Sequence, residues 1–237
     1  MAEEVGTSAR GSGAWGQAVT AVVLVGALGA GLWAFQKTNS SQSAALPPAT
    51  CSDGASDTAP ADSGKASGYV SGTQLCEALN RSDLAELLGT PGEEPKSASG
   101  SGGAFTSGSG RRIDTPSAQV EFDTYTVNLS ASYDGLPVAE SAALFGDSAR
   151  RQTVLGRPAF LYADRTISIR FRLDGGDADS GPGVPARTVS VALDEKDSGG
   201  SVEVTLWRAD GGFLNDAVLL RVAEKVLPTV PGWTAGV

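Results

Sequence analysis

Val189-Ser-Val-Ala-Leu-Asp-Glu-Lys-Asp-Ser-Gly-Gly-Ser-Val-Glu-Val-Thr-Leu206 reads as two strands and the turn that joins them. Val189, Val191 and Leu193 occupy every second position on one side, and Val202, Val204 and Leu206 do so on the other. Between them lies a polar run of Asp, Glu, Lys, Ser and Gly. Successive side chains of a strand point to opposite faces, so an apolar period of two buries one face and leaves the other for water. The stretch therefore predicts an antiparallel hairpin.

Working outward, the chain supplies partners for that hairpin. Downstream, Asn215 or Asp216 is placed to cap a helix that carries Val218, Leu219, Val222, Ala223 and Val226 on one stripe before Pro228, and such a stripe packs on a sheet. Upstream, Ile167, Ile169, Phe171 and Leu173 alternate with Ser168, Arg170 and Arg172, the pattern of a half-buried strand. Residues 153–162 read as a strand interrupted by Gly156 and Pro158, and residues 138–145 as a short helix. From Gln119 to Tyr133 the alternation changes phase once near Thr124, as one long strand with a β-bulge would. Leu75, Cys76 and Leu79 form a short helical stripe. Ser82 is an N-cap candidate for a further turn with Leu84, Leu87 and Leu88, which Gly89 and Pro91 stop. The Ser- and Gly-rich run after Lys96 predicts a flexible loop at about residues 96–110.

These elements predict an α+β fold, a mainly antiparallel sheet of about five or six strands packed with an N-terminal and a C-terminal helix. A βαβ nucleotide-binding fold needs long helices between strands, and the middle of this chain has none.

The N-terminal end has a different character. After a short tail, residues 1–13, the segment 14–35 is uncharged and apolar. At about 1.5 Å per residue it spans a hydrocarbon core of roughly 30 Å. Trp15 at one end and Trp33 with Phe35 at the other suit the two water interfaces. A cleaved signal peptide is the competing reading, but its apolar region is shorter and closes promptly on a small-x-small site, whereas Ser43-Ala44-Ala45 lies well past this run. Pro48-Ala49-Thr50 before Cys51 is not a lipid-attachment triplet. Residues 14–35 are therefore expected to be an uncleaved transmembrane helix in contact with the lipid bilayer. Residues 36–72, rich in Ser, Ala, Pro and Gly, are expected to be a disordered stalk. Residues 73–237 form the folded domain. Arg10 and Lys37 nearly balance across the anchor, so the stalk composition and the two cysteines beyond it decide the orientation, with the N-terminus cytoplasmic and the domain extracytoplasmic.

Composition narrows the chemistry. The chain holds eighteen basic and twenty-seven acidic residues, and leaving out Arg10, Lys37, Glu3 and Glu4 still gives sixteen against twenty-five. A surface so acidic repels phosphate backbones, so no nucleic acid partner is expected. Histidine is absent, which removes the usual base of serine and cysteine hydrolases and the commonest metal ligand. Cys51 and Cys76 could form one disulfide, stabilising by about 3 kcal/mol in the chain-entropy reading, or could remain two free thiols.

Several candidate sites have a plain structural alternative. The loop Asp174-Gly-Gly-Asp-Ala-Asp-Ser-Gly181 offers oxygen ligands for Ca²⁺ but lacks the glycine and distal glutamate of a calcium loop, and reads as a solvated turn. Arg170 and Arg172 share one face of their strand and could hold an anionic group, or could lie across from an acidic partner such as Glu203. Trp207 and Trp233 are the large aromatics of the domain. Trp207 is out of phase with Val202, Val204 and Leu206, and packing is favoured over exposure. Asp194 and Asp197 are adjacent carboxylates, although sequence proximity is not catalytic geometry. The candidate ligand face is thus Arg170, Arg172 and Trp207. No catalytic, cofactor or metal residue is assigned.

Leu75-Cys-Glu-Ala-Leu-Asn-Arg-Ser-Asp-Leu-Ala-Glu-Leu-Leu-Gly-Thr-Pro91, Val154-Leu-Gly-Arg-Pro-Ala-Phe-Leu-Tyr-Ala-Asp-Arg-Thr-Ile167, Leu206-Trp-Arg-Ala-Asp-Gly-Gly212 and Leu227-Pro-Thr-Val-Pro-Gly-Trp233 resemble an uncharacterised family of single-pass membrane proteins from Streptomyces and related actinobacteria. The Cys-Glu-Ala-Leu opening and the closing helix are more distantly similar to actinobacterial envelope lipoproteins with a PsbP-like α/β/α sandwich. The resemblance implies a location and a fold but no reaction. The expected function is a membrane-anchored, non-enzymatic binding or interaction module of the cell envelope, its partner an envelope protein, a polymer or an apolar ligand held between sheet and helix. The alternative is a cell-surface hydrolase that uses carboxylates.

Overall fold

In the computed structural model, which describes residues 49–53, 69–170 and 179–233, the alternating run around Val191 and Val204 forms the expected hairpin, with Val202 across from Val191 and Val204 across from Val189. In chain order the strands are β1 (Ser52–Asp53), β2 (Ser97–Ser101), β3 (Ala104–Thr106), β4 (Arg112–Asp114), β5 (Ser117–Glu121), β6 (Tyr125–Ser132), β7 (Arg150–Val154), β8 (Arg157–Arg170), β9 (Asp179–Ala192) and β10 (Ser201–Arg208). The helices are α1 (Gly72–Leu79), α2 (Leu84–Leu88), α3 (Val138–Leu144) and α4 (Asp216–Val226).

Among the described residues the fold is α+β, and its sheet is wider than five or six strands. Eight strands join in the order β1-β2-β5-β6-β10-β9-β8-β7, with β3 and β4 paired apart from them. Only β1 and β2 run parallel; the other pairs of the large sheet are antiparallel.

Three local readings account for the extra width. The phase change near Thr124 is a reversal, not a bulge: β5 ends at Glu121 and β6 returns along it, with Glu121 across from Thr126. The break at Gly156 is another tight turn, Leu155 and Gly156 both having positive φ, so the single strand expected over residues 153–162 is split between two, β7 and β8. The Ser- and Gly-rich segment expected to be a flexible loop instead forms β2 and the β3–β4 hairpin. Its small side chains are what the packing requires. A Cβ on Gly100 would lie 2.2 Å from the Gly72 carbonyl oxygen, so α1 rests on β2 with no side chain between.

The helix ends follow from short-range chemistry. Ser71 and Gln74 form a reciprocal capping box at α1, and the Asn215 side chain accepts from the Ala217 amide, 2.9 Å, at α4. Asp83, not Ser82, precedes α2 and supplies no side-chain cap, and Gly89 closes that helix at φ 83°.

α1, α2 and α4 cover one face of the sheet. Leu75, Leu79, Leu84, Leu219, Val222 and Val226 pack there against Val120, Leu129, Val189, Val191, Val204 and Leu206, all almost wholly buried. α3 lies on the opposite face, where Val138 and Ala142 meet Phe160, Tyr162 and Ala192. The space expected between sheet and terminal helix for an apolar ligand is occupied by these side chains.

Cys51 and Cys76 are joined in a disulfide with Cα atoms 5.9 Å apart. Beside it, the Asn80 side chain donates to the Ala49 carbonyl, 2.7 Å, and Ser52 begins β1 on the edge of β2. Residues 49–53 thus belong to the folded domain and not to the stalk. The anchor expected at residues 14–35, and the rest of the stalk up to residue 68, lie outside the described residues. Among the described residues no helix is long and apolar enough to cross a membrane.

Candidate functional site

Strand periodicity divides the sheet into a helix-covered apolar face and a second face made from the alternate residues. On the second face three cross-strand rows follow from the register. The first holds Ser117, Ser130, Glu203, Ser190 and Phe160; the next Gln119, Asn128, Thr205, Thr188 and Tyr162; the third Glu121, Thr126, Trp207, Ala186 and Asp164. α3 stands over the β8–β9 side of this face, so its rows on β5, β6 and β10 carry no helix. None of the described residues that β5, β6, β9 and β10 place on this face is Lys or Arg.

The α3 side forms a wall. Phe145, just after α3, lies with its ring 4.5 Å from that of Tyr162 and 5.4 Å from that of Phe160. Asp197 fixes the helix: its two carboxylate oxygens accept from the amides of Val138, 2.7 Å, and Ala139, 2.9 Å.

At the foot of the wall polar groups converge. The Thr188 and Thr205 hydroxyls are 3.0 Å apart. Burial pushes the Tyr162 phenol well above its ordinary range, and the neighbouring Glu203 charge adds to it. Burial also raises the Glu203 carboxyl, the charge of Asp164 reinforces this, and the hydroxyls of Ser190 and Tyr162 hydrogen-bond the carboxylate and oppose it. Thr188 and Ser190 are fully covered, whereas Glu203, Thr205, Asn128 and Gln119 are half-buried and reach solvent.

Trp207 does not pack under the terminal helix as favoured above. It belongs to neither core cluster and sits half-buried on the second face between two small neighbours, Thr126 and Ala186. The remaining tryptophan of the domain is structural, for the Arg157 guanidinium lies 3.6 Å from the centre of the Trp233 ring.

Of the expected ligand face, Arg170 and Trp207 lie apart along the sheet. Arg170 ends β8 across from Asp179, six residues beyond Asp164 and so about 20 Å along the strand from the row of Trp207. Glu203, named above as an example of an acidic partner for these arginines, lies across from Ser190 and Ser130. Arg172 and most of the acidic loop, residues 174–178, lie outside the described residues. Among the described residues no group of three or more acidic or thiol side chains is placed to hold a metal ion.

The other acidic pairs have structural partners. Asp194 accepts from the amides of Lys196 and Ser198 in the β9–β10 turn, and Asp197 caps α3. Asp216 accepts from Arg187 and Arg150 at 2.8 Å. Beside that ion-pair cluster, an open cleft of about 700 Å³ lies between residues 211–216 and the β8–β9 ribbon, overhung by Phe213, which is 89% exposed.

Glu203, Thr205, Thr188 and Ser190 were visible as the off-phase positions of the hairpin that defines the fold. What alternation alone does not tell is which face the helices cover.

No curated protein and no solved structure matches the chain, so the PsbP-like resemblance gains no named relative. Residues 9–148, more than half of the 237, match a family of unknown function, DUF6215, and the chain belongs to that family.

Proposed function

We propose that this protein is a single-pass, membrane-anchored binding module of the cell envelope, non-enzymatic, with its N-terminus cytoplasmic and its α+β domain extracytoplasmic. The observation that carries the binding reading is the second face of the sheet. It presents half-buried Gln119, Asn128, Glu203, Thr205 and Trp207 in register with no helix over β5, β6 and β10. A sheet gains by covering an aromatic ring, and a half-buried aromatic outside the core is a common feature of recognition surfaces. Two further observations support the location. Residues 14–35 have the length and apolarity of a spanning helix, and the Cys51–Cys76 disulfide belongs to oxidising compartments. Hydrolysis by Asp194, Asp197 or Asp216 is disfavoured because these carboxylates are engaged in a turn, a helix cap and an ion-pair cluster.

The test uses the full chain in its native membrane. A cysteine placed at the exposed Glu224 of α4 is expected to react with a membrane-impermeant maleimide in intact cells. A photoreactive residue in place of Thr205 is expected to yield an adduct that the same group at Glu224 does not. Labelling only after lysis would overturn the location, and equal adducts at both positions would overturn the binding face.

A further inference from the structure

We infer that the second face of the sheet binds a neutral glycan chain laid across β5, β6 and β10, with the Trp207 ring as its stacking platform. The inference rests on the binding-face reading above and names the chemistry of the occupant.

Charge comes first. β5, β6, β9 and β10 place Glu121 and Glu203 on this face and no Lys or Arg, Asp164 adds a further carboxylate from β8, and Arg151 lies beyond them on the edge strand β7, across from Phe160. An anionic polymer such as a nucleic acid or a polyol phosphate would meet like charge along β5, β6 and β10 with no cation on this face of those strands. An apolar ligand fits no better, because it would cover hydroxyl, amide and carboxyl groups without satisfying them. A neutral molecule dense in hydroxyls satisfies both conditions.

The side chains match in kind. Ser117, Ser130, Thr205, Gln119 and Asn128 each offer a donor and an acceptor, as each sugar hydroxyl does, so they can pair in whichever sense the sugar requires. The Glu203 carboxyl adds an acceptor in the middle of the array. Trp207 supplies the apolar element. The flat face of a pyranose exposes C–H bonds of slight positive character, which complement the negative face of an indole. Thr126 and Ala186 on either side of Trp207 are too small to screen the ring, both being buried beside it.

The dimensions also suit an extended polymer. Neighbouring strands are about 4.8 Å apart, the scale of one sugar ring, so the three open strands β5, β6 and β10 accommodate about three rings across the sheet. The Phe145 and Tyr162 wall beside α3 ends the path on one side.

The experiment titrates the full chain, held in detergent micelles, with hexasaccharides of β-1,4-linked glucose and of β-1,4-linked N-acetylglucosamine, following tryptophan emission and heat. Saturable binding of at least one is expected, with no response to poly(glycerol phosphate). Trp207→Ala should weaken binding at least ten-fold, Trp207→Phe should keep part of it, and Trp233→Phe should leave the emission change in place. Asn128→Ala and Gln119→Ala should each cost roughly five-fold. If Trp207→Ala loses its native circular dichroism, Trp207→Phe carries the comparison. No binding of either hexasaccharide, unaltered binding in folded Trp207 variants, or tighter binding of the polyanion overturns the inference. The photoreactive residue at Thr205 separates the two levels. A specific protein adduct without glycan binding overturns the glycan and leaves the binding face standing, whereas neither adduct nor glycan binding overturns both.

Discussion

Glu203 illustrates how a single residue of a regular strand acquires unusual chemistry. Its position in β10 is dictated by alternation, yet the surrounding Phe160, Tyr162 and Ser190 come from strands up to about forty residues away. Withdrawal from water disfavours the ionised form, and the two hydroxyl donors only partly compensate, so its pKa lies above the ordinary 4.5. The folded chain therefore holds this proton longer than the unfolded chain. The resulting loss of stability is absent where both states are protonated, develops as pH rises past about 4.5 and is complete above the folded pKa. Glu203→Gln keeps the acceptor oxygen for Ser190 and Tyr162 while removing the titration. It should leave stability unchanged near pH 4 and raise it near pH 7, flattening the profile seen in urea unfolding as a function of pH. A variant that is less stable at both pH values would show that the ionised carboxylate is favourable here.

Among the elements, α3 is the one whose position depends most on a distant side chain. It has seven residues, too few to be stable alone, and its first free amides are satisfied by Asp197 from the β9–β10 turn. Asp197 itself adopts φ 54°, a conformation that Asp tolerates better than most residues. Asp197→Ala should cost about 1 to 2 kcal/mol. It should also loosen Phe145 from Phe160 and Tyr162, visible as reduced near-ultraviolet circular dichroism at unchanged sheet content. An unchanged aromatic signal would mean that Val138 and Ala142 hold the helix unaided. The β8–β9 ribbon teaches the complementary point. The alternation of Ile167 and Ile169 correctly marks a strand, but they are 79% and 58% exposed rather than half-buried. β8 and β9 both run past the ends of their neighbours, so among the described residues their far halves pair only with each other. Apolar periodicity records that a strand forms; burial requires something to cover it.

For the whole molecule the decisive constraint is the disulfide. Cys51 and Cys76 are 25 residues apart, and linking them removes conformational freedom from the unfolded chain, stabilising by about 3 kcal/mol. It also ties β1 to the edge of the sheet, where β1 covers part of β2. Cys51→Ser with Cys76→Ser should lower the unfolding free energy by roughly that amount, measured by urea denaturation beside the oxidised parent. An equal loss on adding reductant to the parent alone would confirm the bond as the cause. No change in either case would place the constraint in the packing of Ala49 and Ser52 rather than in the covalent link.

Residues 189–206, the capped stripe of α4 and the Leu75–Leu79 stripe of α1 were legible because each depends on neighbours within a few positions: alternation, a turn and a cap. The α+β class followed from their order along the chain. The turns at residues 122–124 and 155–156 were misread as a bulge and an interruption, because a phase change looks the same in one dimension whether the chain kinks or reverses. β2 was misread as a loop because its glycines serve contact with α1, a requirement that local propensity reads as disorder. The candidate site was half legible: Thr205 and Glu203 stood at polar positions of the defining hairpin, and Trp207 at the next. That these positions meet Asn128 and Gln119 on open strands is decided by strand order and by α1, α2 and α4 packing on the opposite side while α3 covers only the β8–β9 end. Sequence alone determines which residues alternate, because a strand's pleat is local; which of its two faces is buried is settled only when the layers pack, because burial is a property of pairs of elements.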